Sequence, residues 1–219
     1  MKVALLGTGF GQAHAAVYAG RSGVDEVVVF GRTAGKLATI RERFGFAVTT
    51  DLDGLIDDPS VDLVDICLPT ALHADVAVRA MRAGRDVLVE LPLAGSLADA
   101  RRIVDAWQDT GRAAFVDMFS RFIPANRYLR QAVDDGRYGQ LLRLEIEGRT
   151  ALLWEGYPLG LDSLALDMMH ADFDLATDLL GRPTTVQVAG VAGPSVTPLP
   201  AEVPGGGKSG AAESHGQRV

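Results

Sequence analysis

Cysteine is almost missing from this chain of 219 residues; there is one, Cys67. A disulfide within the chain is therefore excluded, and the expected location is a reducing cytoplasm. Long apolar runs are also missing. No stretch reaches the ~20 residues of a membrane-spanning helix, and the first apolar run breaks at Gly7, too early for a secretory leader. Positive charge is in deficit. Lys and Arg number 21 against 28 Asp and Glu, a net charge of −7. With no basic block, neither a nucleic acid nor a membrane is an expected partner. The four histidines and the cysteine lack metal-ligand spacing, so no metal is expected. G-x-S-x-G is absent, which removes one serine-hydrolase reading. What remains is 47% hydrophobic residues in a length suited to one large domain or one and a half. A small-molecule substrate is the expected partner, with a homo-oligomer possible.

The organising stretch runs from Lys2 to His14. A short apolar run turns on Gly7-Thr8-Gly9-Phe10-Gly11-Gln12 and continues as an Ala-rich helix. This is how a strand hands over to a helix around a phosphate. Gly7 permits a tight turn, Gly9 lets backbone approach a pyrophosphate, and the helix start supplies N–H groups and positive potential. The third glycine of G-x-G-x-x-G would fall at Gln12, so Gly11 sits one place early. His14 reads as a packing or helix-face residue rather than a catalyst.

Downstream, apolar strands alternate with helices. Strands are expected at Glu26–Phe30, Phe46–Thr49, Asp62–Leu68, Asp86–Glu90 and Ala113–Met118. Helices are expected at Ala34–Phe44, after Asp51, at Ala71–Ala83 capped by Thr70, and from Ser96 to Thr110. That alternation predicts a doubly wound parallel α/β sheet of Rossmann type over residues 1–120. Beyond it the pattern changes. Arg121–Asp135 and Leu164–Leu180 read as helices, Gln140–Arg149 alternates like a strand with one wet face, and Thr184–Val191 is strand-like. Residues 121–192 are expected to form a second, truncated α/β domain for substrate or dimerisation. The Pro- and Gly-rich residues 193–219 are expected to be irregular.

The end of the second strand reads Gly31-Arg32-Thr33, with Lys36 a turn later. An acid there would suit the ribose hydroxyls of NAD; Arg32, Thr33 and Lys36 suit a 2′-phosphate instead. NADP is therefore expected ahead of NAD.

With the glycine turn and His14, three further blocks carry a resemblance: Val64 to His73 with Ala83 to Glu90, Arg121 to Ala125 with Gly136 to Gly139, and Asp167 to His170 with Leu179-Leu180-Gly181. The chain resembles the Gfo/Idh/MocA family of NAD(P)-dependent oxidoreductases over residues 2 to 191. The resemblance implies a Rossmann domain, a second open-sheet domain, and hydride transfer to or from sugar-like or cyclic hydroxy and keto substrates. It implies coenzyme contacts at Gly7, Thr8, Gly9, Phe10, Gly11, Gln12, Arg32, Thr33, Lys36, Leu68, Pro69, Thr70, His73, Glu90 and Leu91. Hydride transfer needs an acid or base at the alcohol oxygen; His170 is the candidate, with Asp167 a helical turn away. One departure is chemical. The family's Glu-Lys-Pro is Glu90-Leu91-Pro92 here, and the lysine it replaces lies near the reacting hydroxyl. Two alternatives therefore stand beside the dehydrogenase: a coenzyme-binding protein without redox turnover, or a non-redox reaction on the same fold.

Overall fold

In a computed structural model of the chain, residues 1–148, 166 and 168–189 are described. The strands are β1 (Lys2–Leu6), β2 (Glu26–Phe30), β3 (Ala47–Thr49), β4 (Leu63–Ile66), β5 (Asp86–Val89) and β6 (Ala114–Val116). The helices are α1 (Gly11–Tyr18), α2 (Ala34–Phe44), α3 (Leu52–Asp57), α4 (His73–Arg82), α5 (Leu97–Thr110), α6 (Pro124–Asp134) and α7 (His170–Leu180). Short 3₁₀ turns precede α4 at Thr70–Leu72 and α6 at Phe119–Phe122.

The six strands form one parallel sheet in the order β3-β2-β1-β4-β5-β6. β1 sits between β2 and β4, so the chain reverses its direction of travel across the sheet beside the glycine turn. Such a reversal opens a crevice at the carboxyl ends of the strands. Leu6 pairs with both Phe30 and Ile66, and Ile66 pairs with Val89. The turns after β1, β2, β4 and β5 therefore share one edge.

Alternation splits each strand between two faces. Ala4, Leu6, Val64, Ile66, Val87 and Val89 pack under α3, α4 and α5 with Ile56, Met81 and Ile103. Val3, Leu5, Val27 and Val29 pack under α1 and α2 with Ala15, Leu37 and Ile40. Helix ends follow the local sequence. Asp51 accepts from the Gly54 N–H at 2.9 Å and Ser96 from the Asp99 N–H at 3.1 Å, while Gly45 and Gly111 close α2 and α5 in the left-handed region. Thr70 caps nothing with its side chain. It opens the 3₁₀ turn instead, and α4 starts only at His73.

The expected strand at Gln140–Arg149 does not form over residues 140–148, nor does one over residues 184–189. Leu142 is 85% exposed and Val188 81% exposed. Alternating side chains describe a strand's faces but do not supply the neighbour its backbone must pair with, and among the described residues no strand lies beside these segments. Arg149, residues 190 and 191, and residues 193–219 lie outside the described residues.

Candidate functional site

The glycine turn is locked by backbone contacts. Gly7 has φ +122°, and a Cβ there would stand 2.3 Å from the Cys67 carbonyl oxygen. Its N–H donates to the Phe30 carbonyl at 3.0 Å, and the Cys67 N–H donates to the Leu6 carbonyl at 2.9 Å. No side chain fits in that gap. Gly9, by contrast, has no atom within 4 Å of a built Cβ, so its backbone faces open space. Helix α1 has no side-chain cap and no acid in its first turn, which leaves its positive end free for an anion. Gly11 takes the buried place at the helix start, against Cys67 and Leu5, while the Gln12 amide donates to the Thr8 carbonyl at 3.0 Å and braces the turn. The Thr8 methyl lies 2.5 Å from a built Cβ of Gly31. That contact joins the first turn to the one after β2, where Arg32, Thr33 and Lys36 are exposed.

Leu68-Pro69-Thr70 after β4 and Glu90-Leu91-Pro92 after β5 line the next part of the same edge. Of the two readings open for His73, a neighbour of the coenzyme or a structural histidine, its burial supports the second: it is 1% exposed. Its ring is hydrogen-bonded to the Leu68 carbonyl at 2.8 Å and the Pro92 carbonyl at 3.0 Å. It ties the two loops together from beneath and has no surface left for a ligand.

His14 holds the most heavily charged position. From α1 its Nδ1 reaches Asp65 Oδ2 at 2.8 Å and its Nε2 reaches Glu90 Oε1 at 2.9 Å. Asp117 Oδ2 stands 3.6 Å from the same Nε2. The Tyr18 hydroxyl donates to Asp65 at 2.7 Å, and the Cys67 sulfur lies 3.5 Å from His14 Nδ1. The second oxygen of Glu90 accepts from the Leu91 N–H at 2.8 Å. Asp65 is wholly buried. The hydrogen bond to Asp65, then those to Cys67 and Glu90, outweigh burial and push the His14 pKa up to about 12. Burial raises Glu90, but the bonds from His14 and Leu91 outweigh it and hold that carboxyl below its usual range. Burial, then the neighbouring Glu90, raises Asp117. Burial also pushes the Cys67 thiol up to about 12. Ligand atoms of His14, Cys67 and Glu90 all lie within 4.8 Å of one another. A metal there would take the place of the protons on the imidazole and the thiol, so the fold brings together a ligand set that the spacing in the sequence does not show.

His170 opens α7, and its Nδ1 is hydrogen-bonded to the Leu166 carbonyl at 3.1 Å. Helix α7 is held to the preceding segment by Arg121 on Asp174, at 2.6 and 2.8 Å, and by Arg130 on Asp178. No hydrogen bond or ion pair among the described residues joins His170 to the glycine turn or to Leu91. Asp167 lies outside the described residues.

Residues 1–118 match the family described as an oxidoreductase family with an NAD-binding Rossmann fold, Gfo/Idh/MocA. The chain belongs to that family. Inositol 2-dehydrogenase 2 of Saccharopolyspora erythraea is 37% identical over 156 residues, 69% of this chain and 44% of that protein. The crystal structure of a putative myo-inositol dehydrogenase from Sinorhizobium meliloti 1021 superposes with TM-score 0.69 at 29% identity, covering 84% of this chain and 56% of that one. Levoglucosan dehydrogenase, solved with NADH and levoglucosan, gives TM-score 0.57 at 30% identity over 62% of this chain and 40% of its own. The chain thus spans about half the length of the relatives it matches. The Gfo/Idh/MocA family binds NAD(P), and the glycine turn and open helix end described above are the geometry such a coenzyme requires. No described helix is long and apolar enough to cross a membrane.

In this Gfo/Idh/MocA chain, Asp65, Asp117 and Tyr18 complete a site that sequence reading did not assign, and His14 is its centre rather than a residue of the helix face. One signal was present: Asp65 interrupts the apolar run Leu63-Val64-Asp65-Ile66, and a carboxylate inside a buried strand needs a partner. An open groove of about 610 Å³ borders this cluster, with Phe10, Ala13, His14, Val17, Leu88 and Asp117 in its lining.

Proposed function

We propose that the chain is an NADP-dependent oxidoreductase that transfers hydride to or from a sugar-like or cyclic hydroxy or keto substrate. The observation that carries this is the turn after β1, with Gly7 wedged against Cys67, Gly9 open and α1 uncapped. Gly7 to Gln12 would hold the pyrophosphate on backbone N–H groups. Arg32, Thr33 and Lys36, all exposed at the end of β2, would take a 2′-phosphate. Leu68, Pro69, Thr70, Glu90 and Leu91 would border the nicotinamide half. A bound coenzyme supplies the hydride donor or acceptor. His170, with Asp167, would move the proton at the substrate oxygen from a second unit beginning near residue 121. Inositol and levoglucosan dehydrogenases among the relatives support the substrate class. A soluble cytoplasmic protein without nucleic-acid partners, able to self-associate, fits this reading.

The test is a pair of titrations. Arg32→Ala is expected to weaken NADPH by about 1–3 kcal/mol and to leave NADH unchanged; equal losses would remove the NADP assignment. Leu91 favours a second reading, in which the chain holds coenzyme without turnover, because an alkyl side chain offers neither proton nor charge at that position. Tight coenzyme binding without oxidation of NADPH by any cyclic ketone or keto-sugar would support it. Reductase activity gained in Leu91→Lys would show that the rest of the site is competent.

A further inference from the structure

His14 lies three residues beyond Gly11, on the helix whose start would cradle the pyrophosphate. Its partners come from elsewhere in the chain: Asp65 from β4, Glu90 beyond β5 and Asp117 beyond β6. One path through it reaches the edge of the cleft, since Glu90 spends its second oxygen on the Leu91 N–H at 2.8 Å. An apolar contact would pack α1 on the sheet without the desolvation that buried charges incur. What charged, doubly hydrogen-bonded groups add is direction. A dinucleotide on this fold lies across the strand ends, one half over β1 and β2 and the other over β4 and β5. Leu91, two residues past the end of β5, would lie under the second half.

We propose that His14 is a positioning residue for the half of the coenzyme over β4 and β5: its ring, anchored on Asp65, holds Glu90, and Glu90 holds the Leu91 N–H and the turn it belongs to. This rests on the coenzyme reading above. The groups facing the imidazole are Asp65 and Cys67 at β4, Glu90 beyond β5, Asp117 beyond β6, and Tyr18 beside Asp65 on α1. Together they place a positive ring among carboxylates, and the ring orients whichever of them also faces the cleft.

The test uses the full chain, with NADPH as the whole coenzyme and 2′,5′-ADP as its adenosine half. In H14N the amide reaches toward the Nδ1 position and abandons Glu90, whereas in H14Q it reaches toward Nε2 and keeps Glu90 in range. H14N is expected to lose roughly tenfold or more in NADPH affinity with 2′,5′-ADP unchanged, and H14Q to recover much of that loss. Equal loss for both ligands, or no loss for either, overturns the proposal. A second readout needs no ligand. The Leu91 amide resonance should move in H14N and in E90Q and stay close to wild type in H14Q. If it does not move, the relay through Glu90 is wrong. Should H14N fail to fold, E90Q carries the same comparison of the two ligands. Wild-type protein that binds neither ligand defeats the coenzyme reading instead, and the Leu91 amide still decides the relay.

Discussion

The two faces of the sheet share an apolar base and part company at β4. Under α3, α4 and α5 the strands present Ala4, Leu6, Val64, Ile66, Val87 and Val89, all of them apolar and buried. The opposite face is apolar as well where β1 and β2 present Val3, Leu5, Val27 and Val29 to α1 and α2, but at β4 it presents Asp65, with Cys67, Glu90 and Asp117 just past the strand ends and Tyr18 and His14 coming down from the helix. One face gains its stability from packing, which has no preferred direction. The other adds to its packing a buried charge at Asp65, which is unfavourable unless every partner is in place. The comparison teaches where this fold accepts a stability cost for orientation: on the side that meets the glycine turn and the cleft.

The largest expected effect comes from breaking the charged face. Asp65→Ala leaves the His14 imidazolium and the Tyr18 hydroxyl short of a buried acceptor, and should lower unfolding stability by about 3–5 kcal/mol in urea titrations at pH 7. A loss below about 1 kcal/mol would show that solvent or Glu90 replaces it. On the apolar face, Ile66→Ala should lose about 2–5 kcal/mol through cavity formation, with the loss equal at pH 6 and pH 9 because no proton is involved. A pH-dependent loss at Ile66 would blur the distinction between the faces.

The pH response sharpens the comparison. His14 holds its proton in the folded state up to about pH 12, against an ordinary value of 6.5. Between those values the folded state binds more protons than the unfolded one, so stability falls as pH rises. The contribution of His14 is therefore complete below about pH 6.5 and is lost progressively on the way to pH 12. Urea midpoints measured from pH 6 to pH 10 should decline in the wild type and decline less steeply in His14→Asn. Parallel slopes would mean that the imidazole is not the group responsible. The smallest effect is expected where the functional face lies open. Phe115 sits on β6 opposite Leu88 and is 58% exposed, so Phe115→Ser should change stability by no more than about 0.5 kcal/mol.

Much of the fold was legible in the sequence, for a local reason. Apolar runs such as Val27–Phe30 and Val87–Val89, separated by amphipathic helices with Asp51 and Ser96 as caps, specify a parallel sheet without knowledge of any contact. The glycine turn was legible because Gly7 answers a backbone demand at one position. The site was less so. His73 follows a turn that borders the cleft, and only burial reveals that its ring points beneath the rim. His14, Asp65 and Asp117 are separated by about 50 residues at each step, and a pattern search that works within one element cannot pair them. The side chains of residues 140–148 alternate without forming a strand, because pairing needs a second segment that the alternation does not name.

By itself the amino-acid order determined, over residues 1–120, which stretches are strands and helices, which face of each is apolar, and where the chain must turn on a residue without a side chain. These follow from propensities and periodicities that act over a few residues. The three-dimensional arrangement decided which acids meet His14, that Gly7 must clear the carbonyl of Cys67, and that His73 joins two loops rather than facing a ligand. Those outcomes depend on register between strands distant in the chain, and hydrogen bonds and buried charges respond to distances of a few tenths of an ångström that only the assembled sheet sets.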